Sequence, residues 1–146
     1  MRSFFFKEAR LLEMRKQQVW IAEQKVSLAA ADVAAVKDVV NADIARLESL
    51  YAHLRLSPQN ALTHLSRTVL GMRSRLEASQ ARLAEFEQAL EIATQDWQLA
   101  TRNVEALEVL KSRQAEKHQK KVQKEAQAVL DSFSIHKWVK ERSAHD

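Results

Sequence analysis

Five histidines (His53, His64, His118, His136 and His145) are the chain's only imidazoles, and there is no cysteine. A helical zinc hydrolase site needs His-Glu-x-x-His, two imidazoles on one face with a general base between them. No such run is present. Di-iron bundles use Glu-x-x-His pairs, and no histidine here has a glutamate three residues before it. His53 and His64 flank Pro58 and can face each other, but two imidazoles without further donors make a poor metal site. A serine nucleophile needs a base and an oxyanion hole, usually supplied by loops. The single glycine, Gly71, cannot build a phosphate cradle. The expectation is no enzyme activity, no metal and no cofactor.

The remaining chemistry is that of binding. Lys111, Arg113, Lys117, Lys120, Lys121 and Lys124 form a basic run opposed only by Glu116. Such runs are often solvated helix faces, and the functional reading is attraction to an acidic partner or to nucleic acid. A second basic group lies around Pro58, with Arg46, Arg55, Arg67, Arg73 and Arg75 and no lysine. Arginine is favoured in protein interfaces for its planar, weakly hydrated fork. Solubility alone is the plainer account. The third feature is Phe4-Phe5-Phe6 together with Trp138, either capping the open end of a fold or docking a partner.

These groups need elements to carry them, and the composition permits only helices. Ala, Glu, Lys, Leu and Arg make up just over half of the 146 residues. One proline and one glycine are too few breakers for the turns of a sheet. Phe5, Leu12, Val19, Val26, Val33, Val40, Leu47 and Leu54 stand seven apart. After Pro58 the series resumes at Leu62, Val69, Leu76, Leu83, Leu90, Trp97 and Val104. The accompanying positions are Leu65, Met72, Phe86, Ala93, Ala100 and Leu107 in the second series, with Ser79 an exception. In the first they are Ala22, Ala29, Val36 and Leu50, with Arg15 and Asp43 exceptions. Sustained heptads mean a seam buried against another helix.

The predicted fold is all-α: two long helices, about 3–56 and 59–140, in an antiparallel coiled-coil hairpin forming one elongated domain over 1–146. Pro58 disfavours helical geometry at Ser57, which makes Ser57-Pro58 the turn and Ser57 the expected N-cap of the second helix. Folding back there places Val40 opposite Leu76, Trp20 near Trp97 and Gly71 beside Ala45. Gly71 is then either a close helix approach or a tolerated mid-helix glycine. Paired arms near 3–56 and 59–113 would each run roughly 80 Å. Residues 114–146 would overhang as a helix with an apolar stripe at Val122, Ala126, Val129, Leu130, Phe133 and Trp138.

The net charge of +4 alternates along the chain: +3 over residues 1–16, −2 over 17–45, +4 over 46–75, −5 over 76–110 and +4 over 111–146. No apolar run approaches a membrane span, and the opening Met1-Arg2-Ser3-Phe4-Phe5-Phe6 is too short for a signal-peptide core.

The hairpin, and the stretch with Trp97, Leu107-Glu108-Val109-Leu110-Lys111-Ser112-Arg113, Glu116, Lys124-Glu125 and Leu130-Asp131, resemble the YscO/FliJ family. That family, which includes HrpO proteins, supplies the stalks of type III secretion systems. The resemblance is architectural over the whole chain and residue-level over about 97–131, with Phe133 echoing an aromatic residue of flagellar members. It implies a cytoplasmic protein, peripheral to the apparatus at the inner membrane, with no insertion into the bilayer. It implies that the terminal ends of the helices enter a hexameric secretion ATPase and stimulate it, through Lys111, Arg113, Lys117, Lys120, Lys121 and Lys124. The tip, with Arg55, Leu56, Arg67, Arg73 and Arg75, would face the cytoplasmic domain of the export gate. Some members also handle secretion chaperones.

Two other classes stay open. One is a structural coiled-coil adaptor or secretion chaperone-binding protein without an ATPase partner. The other is a nucleic-acid-binding helical protein, which the lack of stacking aromatics between Lys111 and Lys124 disfavours. No nucleic-acid partner is expected.

Overall fold

In a computed structural model, residues 3–145 are described, so Met1, Arg2 and Asp146 of the expected 1–146 domain lie outside it. Helix α1 runs Ala9–Leu56, a single 3₁₀ turn occupies Gln59–Ala61, and helix α2 runs Leu62–Ala144. The two helices touch, and among the described residues there is no strand. The chain is an all-α helical hairpin. By contacts it divides into two units, one of residues 17–101 and one joining residues 1–16 to 102–146.

In the 17–101 unit the covered positions follow the seven-residue series. Ala22, Val33, Val36 and Val40 are buried, and Val19, Val26, Ala29, Leu47, Leu50 and Leu54 are half-buried. Across from them Val69 is buried, and Leu62, Leu76, Leu83, Phe86, Leu90 and Trp97 are half-buried. The imbalance has a steric cause. The α1 side of the seam is mostly Ala and Val, so the longer α2 side chains lie over it and cover it more completely than they are covered. Each fully covered Val or Leu contributes roughly 1.5–3 kcal/mol.

Asp43 and Ser79, exceptions to the apolar series, sit in the seam as well. Asp43 is the most buried side chain, at 1% exposure, and Ser79 is at 9%. The Ser79 hydroxyl donates to the Leu76 carbonyl at 3.0 Å, so its burial leaves no stranded donor. Val36, Val39 and Asp43 share a small groove with Arg75, Ala78, Ser79 and Arg82.

Two expectations are corrected here. Ser57 does not cap α2: its Oγ donates back to the His53 carbonyl at 2.6 Å, closing the end of α1. Pro58 is instead the N-cap of the 3₁₀ turn, with φ −66° and ψ 156°, and its carbonyl accepts from the Ala61 N–H at 3.0 Å. The intervening 3₁₀ turn explains the difference, because it starts α2 three residues after Gln59. Gly71 is exposed, and a Cβ placed on it meets nothing within 4 Å, so no close approach uses it. Trp20 is 62% exposed, while Trp97 is half-buried.

In the other unit, α1 begins at Ala9 and not near residue 3. Residues 3–6 are irregular and 7–8 form a turn, with the Ala9 N–H donating to the Phe6 carbonyl at 3.2 Å. Outside the helix the heptad no longer applies. Phe6 is buried at 5%, Phe4 meets the His118 ring with centroids 5.7 Å apart, and Phe5, the expected seam residue, is 78% exposed. A helix would fan three successive aromatics about 100° apart, whereas non-helical chain can send alternate residues to one side. The uncovered part of α2 therefore starts later than residue 114. Gln114, Ala115, His118 and Val122 are half-buried, and every described residue from Gln123 to His145 is exposed.

Candidate partner-binding surfaces

The residues around the turn are held by local bonds. His53 Nδ1 lies 2.9 Å from the Ser49 carbonyl, Ser57 closes on His53, and Thr68 Oγ1 donates to the His64 carbonyl at 3.0 Å. His53 and His64 are both exposed, and no cluster of three metal-ligating side chains occurs among the described residues. Leu56 is 89% exposed at the end of α1, beside exposed Arg55. Pro58 fixes the backbone that presents them, so little entropy is lost on docking.

The five expected tip residues do not form one group. Arg55 and Leu56 flank the turn, and Arg67 is exposed in the second turn of α2. Arg73 and Arg75 lie 11 and 13 residues past Leu62, about 17–20 Å further along the helix. Arg75 also has a structural partner, since its Nε lies 3.7 Å from Asp43 Oδ1. Arg46 reaches the same oxygen at 4.0 Å from one turn up α1. The second carboxylate oxygen, Asp43 Oδ2, is covered and has no hydrogen-bond partner. In the heptad pattern Asp43 registers only as a break in the seam. The signal that finds it is an acidic residue at a seam position with arginines at i+3 and across the turn.

The second surface lies on the unit of residues 1–16 and 102–146. Lys111, Arg113, Lys117, Lys120, Lys121 and Lys124 are all exposed on α2. Ala126, Val129, Leu130 and Phe133 continue as an uncovered apolar face, with Leu130 at 60% and Phe133 at 72% exposure. Trp138 is 57% exposed, with the Arg142 guanidinium 4.9 Å from its ring centroid. Of the four aromatics expected at the open end, only Phe6 is buried, and Phe4 meets the His118 ring. No helix among the described residues is long and apolar enough to cross a membrane.

No family model, curated protein or solved structure matches the chain. The functional reading stands on the residues and on these two surfaces.

Proposed function

We propose that the protein is the central stalk of a type III secretion export apparatus, as the resemblance to the YscO/FliJ family implies. It links a hexameric secretion ATPase to the cytoplasmic domain of the membrane export gate and stimulates ATP hydrolysis. In this reading the seam is an antiparallel coiled coil, and the protein works in the cytoplasm, peripheral to the inner membrane. It transmits force or position and performs no chemistry of its own.

The observation that carries the reading is the end of α2. A helix uncovered from Gln123 to His145, with apolar residues and a lysine run leading into it, is built to be ordered against something else. The basic run engages the ATPase by charge, and the apolar face by shape. The turn carries the contact to the gate through Arg55, Leu56 and Arg67, and Arg73 extends it about 17 Å along α2.

The test is a chain ending at Val122, which keeps the half-buried part of α2, including the His118 that Phe4 meets. It should retain its helicity and lose stimulation of the secretion ATPase. Full stimulation by the shortened chain would overturn the assignment. In that case an adaptor or chaperone-binding role, which needs no ATPase, would account for the same exposed face.

A further inference from the structure

Phe5 lines a groove that the heptad pattern does not foresee. Phe6 is buried and the Phe4 ring meets His118, while Phe5 is 78% exposed and lines the groove with residues of α2. The floor is Val122, Ala126, Val129 and Leu130, and Lys7 and Lys121 stand at the rim beside Glu125. The groove encloses about 1460 Å³ and is open on one side. Small-molecule sites span about 300–1,000 Å³ and enclose most of their ligand. This one has the scale of a polypeptide segment.

We propose that this groove binds one amphipathic helix, about three turns long, from a partner protein, with an apolar stripe and acidic flanks. Three observations fix the occupant. The floor positions 122, 126 and 129 recur at helix spacing, the pattern that packs against another helix. From His118 to Leu130 the lining covers about 18 Å of α2, the length of an added three-turn helix. Lysines border the apolar strip on both sides: Lys7 and Lys121 at the groove, Lys120 and Lys124 along the opposite edge of Ala126 and Leu130. Against them stands Glu125 alone among the charged lining residues. Acidic flanks complement that rim, while a second copy laid face to face would set lysine against lysine. The proposal does not rest on the stalk reading, because an adaptor would present the same groove.

The probe is a fluorescein-labelled, helix-stapled peptide of 14 residues. It carries leucines at i, i+3, i+4, i+7 and i+11 and glutamates on both flanks of the stripe. Its twin carries lysines in place of the glutamates. By fluorescence anisotropy with the full-length chain, the glutamate peptide should bind at least tenfold more tightly than its twin. Phe5→Ser, at a 78% exposed position, should leave thermal unfolding unchanged and weaken the glutamate peptide at least tenfold. Lys7→Glu with Lys121→Glu should abolish the preference between the peptides. Equal binding of the two peptides by the native chain, or undiminished binding by Phe5→Ser, overturns the proposal. So does a mass that rises with concentration and falls back in Phe5→Ser, which would make a second copy the occupant.

Discussion

Asp43 shows how a single residue can be essential to a seam without stabilising it. Its carboxylate is almost fully withdrawn from water, one oxygen has no partner, and the other has two arginine contacts of 3.7 and 4.0 Å. Desolvating a charge costs several kcal/mol, and long contacts from side chains that are 60–61% exposed return little of it. Asp43→Leu should therefore stabilise the hairpin by about 1–2 kcal/mol, since both arginines can rehydrate. Arg75→Ala should destabilise it only slightly, by up to about 1 kcal/mol, because a long contact from an exposed arginine compensates little of the burial. Val40→Asp, at a 6% exposed position with no arginine contact, should be the most damaging of the three. Urea unfolding followed by circular dichroism ranks them. A destabilising Asp43→Leu would show that the ion pair contributes net stability. The usual reason to keep such a group is register: a polar seam residue fits only one alignment of its partner. The seam is legible in the sequence because apolar side chains repeat. Asp43 is not, because its place depends on which arginines the turn brings opposite.

At the scale of elements, both helices and the break between them are legible in the sequence, and their ends are not. Pro58 dictates where α1 stops, since residues before proline avoid helical geometry. It does not dictate whether α2 starts at once or after a 3₁₀ turn, because either route satisfies the first free N–H groups. The N-terminal segment departs from expectation for a different reason. The seven-residue count runs on to Phe5, but the helix that gives the count its meaning stops at Ala9, and the side chain that becomes buried is Phe6. Gly71 is open to two accounts because a glycine in a helix looks the same from sequence whether it admits a neighbour or is merely tolerated. With nothing within 4 Å of an added methyl group, only the entropic cost remains. Gly71→Ala should raise stability by about 0.5–1 kcal/mol, read as a higher urea midpoint with an unchanged slope. A lower midpoint would mean that a partner, in another molecule, needs the space.

For the whole molecule, the organising feature is charge that changes sign along the chain, on both sides of the turn and past Val122 where the covered series ends. Burial is served mainly by the heptad and needs none of the sign changes, so each basic stretch can be tested separately as a partner contact. The stretch around the turn has the sharper prediction. Arg75 must be left in place, since it neighbours Asp43 and reversing it would confound folding with binding. Arg55, Arg67 and Arg73 are exposed, and none has an ion pair within 4.0 Å among the described residues. Replacing these three with Glu changes the charge of that stretch by six units without touching the seam. Helicity and stimulation of the secretion ATPase should persist, while binding to the export-gate domain falls at least tenfold and secretion stops. Gate binding by the unaltered chain should weaken as salt rises from about 50 to 500 mM, because the Debye length beyond which exposed pairs are screened falls from about 14 to about 4 Å. Normal secretion by the triple variant would leave these arginines with solubility as their only role. It would also move the gate contact to Leu56, whose 89% exposure beside a rigid turn is the other feature of that end available to a partner.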